Sequence, residues 1–178
     1  MIRLVRPIFV LAALCVALFG GVVHAQENAP SKKPPTGAGA VLSNWNDVGN
    51  RLVAMAVDWP EDKYDYKLAP TTRTFQEVIL HVAGSNYHML NYMTKSTVGD
   101  GRNDPAAADY KTKAATVAFL KKSIEAGAAE AKKQGDAGVN KLLEDWIGYT
   151  EHMGEHYGLL VAYYRASGGV PPESRPKK

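Results

Sequence analysis

The sequence predicts an all-α protein: a four-helix bundle preceded by a cleavable signal peptide and a disordered linker. Three observations predict it. Apolar residues recur every three or four positions in four separate stretches. Segments rich in Pro, Gly and Asp, which break helices, part those stretches from one another. No stretch shows the strict polar–apolar alternation of a half-buried strand.

Residues 1–25 read as a secretory leader. Arg3 and Arg6 precede an apolar run from Ile8 to Val23, and Val23-His24-Ala25 forms a small-residue cleavage site before Gln26. The run is about 16 residues, shorter than the roughly 20 that a membrane-spanning helix needs, so cleavage is favoured over anchoring. Cys15 follows Leu14 in mid-run, which does not suit a lipoprotein signal. Cleavage would remove two arginines and no acids, lowering the formal net charge from +3 to +1. It would also remove the one cysteine, leaving no disulfide, cysteine nucleophile or thiolate ligand. What remains carries no basic stripe of the kind that nucleic-acid binding requires. The expected location is periplasmic or secreted, with no stable membrane insertion after cleavage.

Residues 26–40, Gln-Glu-Asn-Ala-Pro-Ser-Lys-Lys-Pro-Pro-Thr-Gly-Ala-Gly-Ala, lack apolar periodicity and read as the linker. The bundle is expected over 41–172, with 173–178 a disordered tail. A first helix starts at Val41, carries Leu42, Trp45, Val48, Leu52 and Val53 inward, and stops before Pro60. A second runs from about Thr74, where Thr74-Phe-Gln-Glu77 fits a capping box, to about Lys95. Residues 99–105, Gly-Asp-Gly-Arg-Asn-Asp-Pro, form a loop signal. A third, alanine-rich helix spans 110–133 with Val117, Leu120 and Ile124 inward, and Gly135-Asp136 breaks it. The fourth runs over 138–166, until Gly168-Gly169 and Pro171-Pro172 end it.

The fourth helix holds the most informative pair, His152 and His156 in Glu-His-Met-Gly-Glu-His. Four residues on a helix make roughly 400° of rotation, so both imidazoles leave the same face one turn apart. Tyr149, Leu159, Leu160 and Tyr163 share that face, which suits burial. Two buried imidazoles need partners. A metal ion is one solution, since neutral imidazole is a common ligand. Hydrogen bonds to carboxylates of a neighbouring helix are the other.

His81 is the candidate third ligand. It sits at the edge of the stripe Phe75, Val78, Val82, Met89, Met93, roughly 60–100° from its centre, and can enter a seam between helices. His88 has nearly the same angle but lies about 10 Å further along the axis, so one ion can be reached by one of the two and hardly by both. His88 is expected nearer a bundle end, hydrogen-bonded or partly exposed. Glu77, one turn before His81, and Asp145, two turns before His152, can each orient an imidazole through its second nitrogen. For Glu77 the helix cap is the favoured role. Glu151 and Glu155 project to either side of the histidine pair and are expected in solvent or in salt bridges. Ser85, Tyr92 and Tyr163 are expected to face the interior and line a pocket, with packing and one hydrogen bond the ordinary fate of such tyrosines.

Two segments resemble the DinB/YfiT-like superfamily. Residues 60–83, Pro-Glu-Asp-Lys-Tyr-Asp-Tyr-Lys-Leu-Ala-Pro-Thr-Thr-Arg-Thr-Phe-Gln-Glu-Val-Ile-Leu-His-Val-Ala, are similar to its first half, where a helix with one metal-binding histidine follows a loop of this form. Residues 151–172 are similar to its last helix, with the His-x3-His pair and a Gly-Val-Pro-Pro ending. The resemblance covers nearly all of the chain after the leader. It implies metal ligands at His81, His152 and His156. Many relatives carry Arg-Gly-Gln after the last histidine. Tyr157-Gly158-Leu159 stands here instead, so no role of that Arg and Gln carries over.

The resemblance further implies metal-assisted group transfer, thiol-dependent, or hydrolysis, because the superfamily includes thiol-dependent S-transferases and a maleylpyruvate isomerase. An exported chain sits apart from the cytosolic thiols of those enzymes, and the alternative is a non-catalytic periplasmic metal-binding or stress-associated module. The expected cofactor is a divalent ion. Three imidazoles suit zinc, nickel or iron alike. The expected partner is a small molecule of unknown identity, and a homodimer stays open.

Overall fold

The computed structural model describes residues 37–99 and 102–176. Its four main helices are α1 (Ala38–Asp58), α2 (Phe75–Thr94), α3 (Lys113–Lys141) and α4 (Leu143–Ala166). Among the described residues there is no strand, and one isolated bridge pairs Lys67 with Thr74. No described helix is long and apolar enough to cross a membrane. The expected leader of residues 1–25 and the linker up to residue 36 lie outside the described residues.

Both α3 and α4 pack against α1 and α2, while α1 and α2 barely meet. The order around the bundle is therefore α1, α3, α2, α4, and the α2–α4 seam is one of its four sides. Periodic apolar residues explain the core: Trp45, Leu52, Phe75, Val78, Val82, Met89, Leu120, Met153, Leu160 and Tyr163 are fully buried. Close approach of α1 to α3 depends on two glycines. A Cβ on Gly49 would stand 2.7 Å from Ile124 Cγ2, and one on Gly127 would stand 2.3 Å from Trp45 Cζ2. Trp45 fills the space so left, donates its indole N–H to the Ile124 carbonyl at 2.9 Å and meets Trp146 edge-on at 5.5 Å. At the other end Trp59 stacks on Phe75 at 4.4 Å and meets Tyr164 edge-on at 4.7 Å. These aromatics tie the end of α1 and the start of α2 to the end of α4.

Three boundaries differ from the sequence expectation. Helix α1 begins at Ala38, so the last linker residues are helical. The cause is tertiary: Asp136 Oδ1 accepts the Ala38 N–H at 2.8 Å, satisfying one of the helix's first free donors. Gly135 breaks α3 as expected, with φ 60° and ψ −175°, a conformation open in practice only to glycine. Helical turns then resume over residues 136–141, and α4 starts only at Leu143, not near 138. The tail is structured up to the last described residues. Pro172–Ser174 form a 3-10 turn, and Arg175 grips Asp58 with two hydrogen bonds of 2.8 and 2.5 Å. That guanidinium holds the Asp58 carboxyl below its ordinary value, against the upward push of burial.

Candidate metal centre

Helix α2 places His81 by fixing its own start. Thr74 Oγ1 accepts the Glu77 N–H at 3.1 Å, and the Glu77 carboxylate accepts the Thr74 N–H at 2.6 Å, the reciprocal capping box. From that start Phe75, Val78, Ile79 and Val82 turn into the core, and His81 falls at the seam with α4, its side chain 12% exposed. On α4, Met153, Leu160 and Tyr163 take the core positions, which turns His152 and His156 toward α2.

The three histidines converge. His152 Nε2 stands 3.1 Å from His81 Nε2 and 3.1 Å from His156 Nε2. Ring centroids are 4.5 to 5.1 Å apart, and the planes are inclined by 63 to 77°. One potential ligand atom from each lies within 4.8 Å of the others, close enough to hold a single ion. A separation of 3.1 Å is what two nitrogens span at about 2.0–2.1 Å from one ion when they subtend about 100° there. Three imidazoles whose Nε2 atoms meet this way fit a divalent cation. Without one they crowd lone pairs, and only hydrogens shared between rings can relieve that.

Charge follows burial. Removal from water lowers the pKa of His152, and the neighbouring His81 lowers it further. For His156 burial, with His152 and His81 beside it, brings the value down to about 4. The His156 ring is therefore neutral, and able to ligate, well below neutral pH, and His152 is displaced in the same direction. His81 differs in having a carboxylate: Asp104 Oδ1 lies 2.8 Å from its Nδ1 and 3.0 Å from an Arg73 guanidinium nitrogen. Burial pushes the Asp104 carboxyl up, but His81 and Arg73 outweigh it and hold the carboxyl below its ordinary value. The Nδ1 atoms of His152 and His156 are buried and have no protein partner among the described residues.

The other expected site residues divide. Glu77 is engaged in the cap, and its carboxylate makes no hydrogen bond or ion pair with His81. Asp145 makes no hydrogen bond to a ring nitrogen. With Glu144, Gly148, Tyr149 and His152 it borders a cleft of about 330 Å³. Ser85 is 3% exposed and donates to Asn103 Oδ1 at 2.6 Å. Tyr163 is fully buried and donates its hydroxyl to the Arg73 carbonyl. Tyr92 corrects the expectation: it is 57% exposed, with the Lys95 ammonium 4.3 Å from its ring centre, and lines no interior pocket. It shares the helical angle of His81 but lies near the end of α2, where that face is open. His88, on the same face, is likewise exposed, as are Glu151 and Glu155.

Two residues at the site escaped the sequence. Asp104 belongs to a segment legible only as a loop, and Arg73 to the approach of α2. The available signal was Gly84, a glycine inside a strong helical pattern three residues after His81, which marks close packing. No family model matches the chain, and no curated protein matches it.

Proposed function

We propose that this chain is an exported member of the DinB-like superfamily that binds one divalent metal ion through His81, His152 and His156. The observation that carries the reading is the meeting of three Nε2 atoms from two helices, with 3.1 Å between His152 and each of the others. The resemblance of residues 60–83 and 151–172 to that superfamily supports it independently. The finer reading is metal-assisted group transfer, thiol-dependent, or hydrolysis. A divalent ion at such a site supplies Lewis acidity, lowering the pKa of a water or thiol that reaches its open position. The protein would contribute three imidazole ligands in a partly buried seam, with an open cleft of α4 residues bordering His152.

One observation favours a second reading, a metal-binding module without turnover. Asp104, the carboxylate hydrogen-bonded to His81, is held there and by Arg73 on the Nδ1 side, away from the converging nitrogens. It is not placed as a general base. The test begins with titration of the purified chain with zinc, nickel and iron(II), where one equivalent bound is expected. A panel of thiols and electrophiles, each with and without chelator, then separates the two readings. Chelator-sensitive consumption of a substrate supports catalysis, and one bound equivalent without turnover supports the module. Failure of all three metals to bind refutes both. Export is tested by N-terminal sequencing of protein from the native host: Gln26 is expected first, and intact Met1 on soluble cytosolic protein sinks it.

A further inference from the structure

Gly84 lies in the middle of α2, where glycine costs about 1 kcal/mol relative to alanine. A Cβ built there would stand 2.4 Å from the Asn103 carbonyl oxygen, 2.6 Å from that of Arg102 and 2.7 Å from Pro105 Cδ. Residues 102–105 therefore rest directly on the helix backbone, one turn beyond His81. Ser85 adds its 2.6 Å hydrogen bond to Asn103, and Pro105 is buried against the seat. From this seat Asp104 reaches back along the helix to His81 Nδ1 at 2.8 Å. A neutral imidazole carries one proton, so an Nδ1–H donated to a carboxylate leaves the lone pair on Nε2. That is the nitrogen 3.1 Å from His152 Nε2.

We propose that Asp104 is a positioning residue of the metal centre, seated by Gly84 and Ser85, which holds His81 as its Nδ1–H tautomer and presents Nε2 to the ion. This rests on the reading of the three histidines as ligands. Arg73 shares the same Asp104 oxygen at 3.0 Å, so the carboxylate is fixed from two sides and acts on the ion only through His81. The other two rings have no comparable partner among the described residues. The orientation of the trio thus depends on one carboxylate more than is usual for a three-histidine site. Losing an outer hydrogen-bond partner of a ligand weakens metal binding by about 10–100-fold.

The test uses the full chain, wild type, Asp104→Ala and Gly84→Ala. Zinc affinity is measured by competition with a chromophoric chelator, and the His81 tautomer of the metal-free protein by imidazole nitrogen NMR. The expected result is a loss of zinc affinity of about 10–100-fold in both variants, with helical content unchanged. His81 should pass from a single Nδ1–H tautomer in wild type to a mixture in each variant. Gly84→Ala keeps the carboxylate and lifts only the loop, so it remains informative even if Asp104→Ala misfolds. Unchanged affinity in the variants overturns the proposal. Weaker binding with an unchanged tautomer also overturns it, since a general loss of structure would look like that. A wild type that binds no zinc refutes the ligand reading instead. The tautomer then decides alone: Nδ1–H lost in Asp104→Ala upholds the positioning role, and Nε2–H in wild type overturns it.

Discussion

His81 Nε2 and His152 Nε2 stand 3.1 Å apart although 71 residues separate them in the chain. His152 is also 3.1 Å from His156, which makes it the central member of the trio. His152→Ala is therefore expected to leave two nitrogens that no longer share a neighbour. Zinc affinity should fall by more than the roughly 100-fold that loss of an outer partner costs. His88→Ala should leave metal content unchanged, because His88 is exposed two turns away. Elemental analysis of the dialysed proteins checks both. Metal lost from the His88 variant and kept in a His81→Ala variant would move the site by two turns and refute the assignment.

Much of this arrangement is local and was legible. Helical spacing alone put Trp45, Leu52, Phe75, Val82, Leu120 and Ile124 inside, placed His152 beside His156, and put His81 at a seam edge. What could not be read depends on contacts across the fold. The start of α1 is set by Asp136, 98 residues away. Asp104 meets His81 because a loop settles on Gly84, and a loop signal carries no address. Tyr92 and His88 share the angle of His81, and projection cannot tell that the face is covered around His81 and open beyond it.

Glu77 separates a cap from a role at the metal. Its carboxylate closes the capping box on Thr74 at 2.6 Å and its backbone N–H completes the pair at 3.1 Å. Glu77→Ala is expected to lower stability by about 1 kcal/mol, the ordinary value for a lost cap, with zinc affinity unchanged. Chemical denaturation and zinc competition on the same preparation measure the two effects. A large loss of affinity at unchanged stability would give Glu77 the role that the geometry assigns to Asp104.

Gly127→Ala pits helix propensity against packing. Alanine gains about 1 kcal/mol over glycine in a helix interior. The new methyl would meet Trp45 at 2.3 Å, and that indole is 0% exposed, hydrogen-bonded to Ile124 and wedged against Trp146. Overpacking of a core that cannot yield costs about 1–3 kcal/mol or more, so packing wins. The expected net loss is up to about 2 kcal/mol, seen as a lower urea midpoint at constant slope. Gly158→Ala on α4 is the counterpart, with nothing within 4 Å of its new methyl. It should be stabilising by up to about 1 kcal/mol. Equal effects of the two substitutions would show that the contact with Trp45 is not tight.

The metal-free protein should lose stability on mild acidification, and the window identifies the cause. In the unfolded chain His156 takes up a proton near 6.5, but in the fold only near about 4, because burial and then His152 and His81 oppose its charge. Between those values the unfolded state binds more protons than the folded one, so stability rises with pH across the window and is lost as pH falls through it. His152 is displaced in the same direction. One pKa unit is worth about 1.4 kcal/mol, and partial exposure discounts the shift of His156 to a contribution of about 2 kcal/mol. Asp58 is lowered below its ordinary 3.8, and so draws on stability only at lower pH, as pH falls through its folded value. Urea denaturation of chelated protein at intervals from pH 7 to pH 4 should thus show a decline beginning near 6.5. His156→Gln, which removes one of the two displaced groups, should make it shallower. A wild-type profile flat down to pH 4 would mean that these rings are solvated and free to charge. The close approach of the three imidazoles would then not describe the protein in solution.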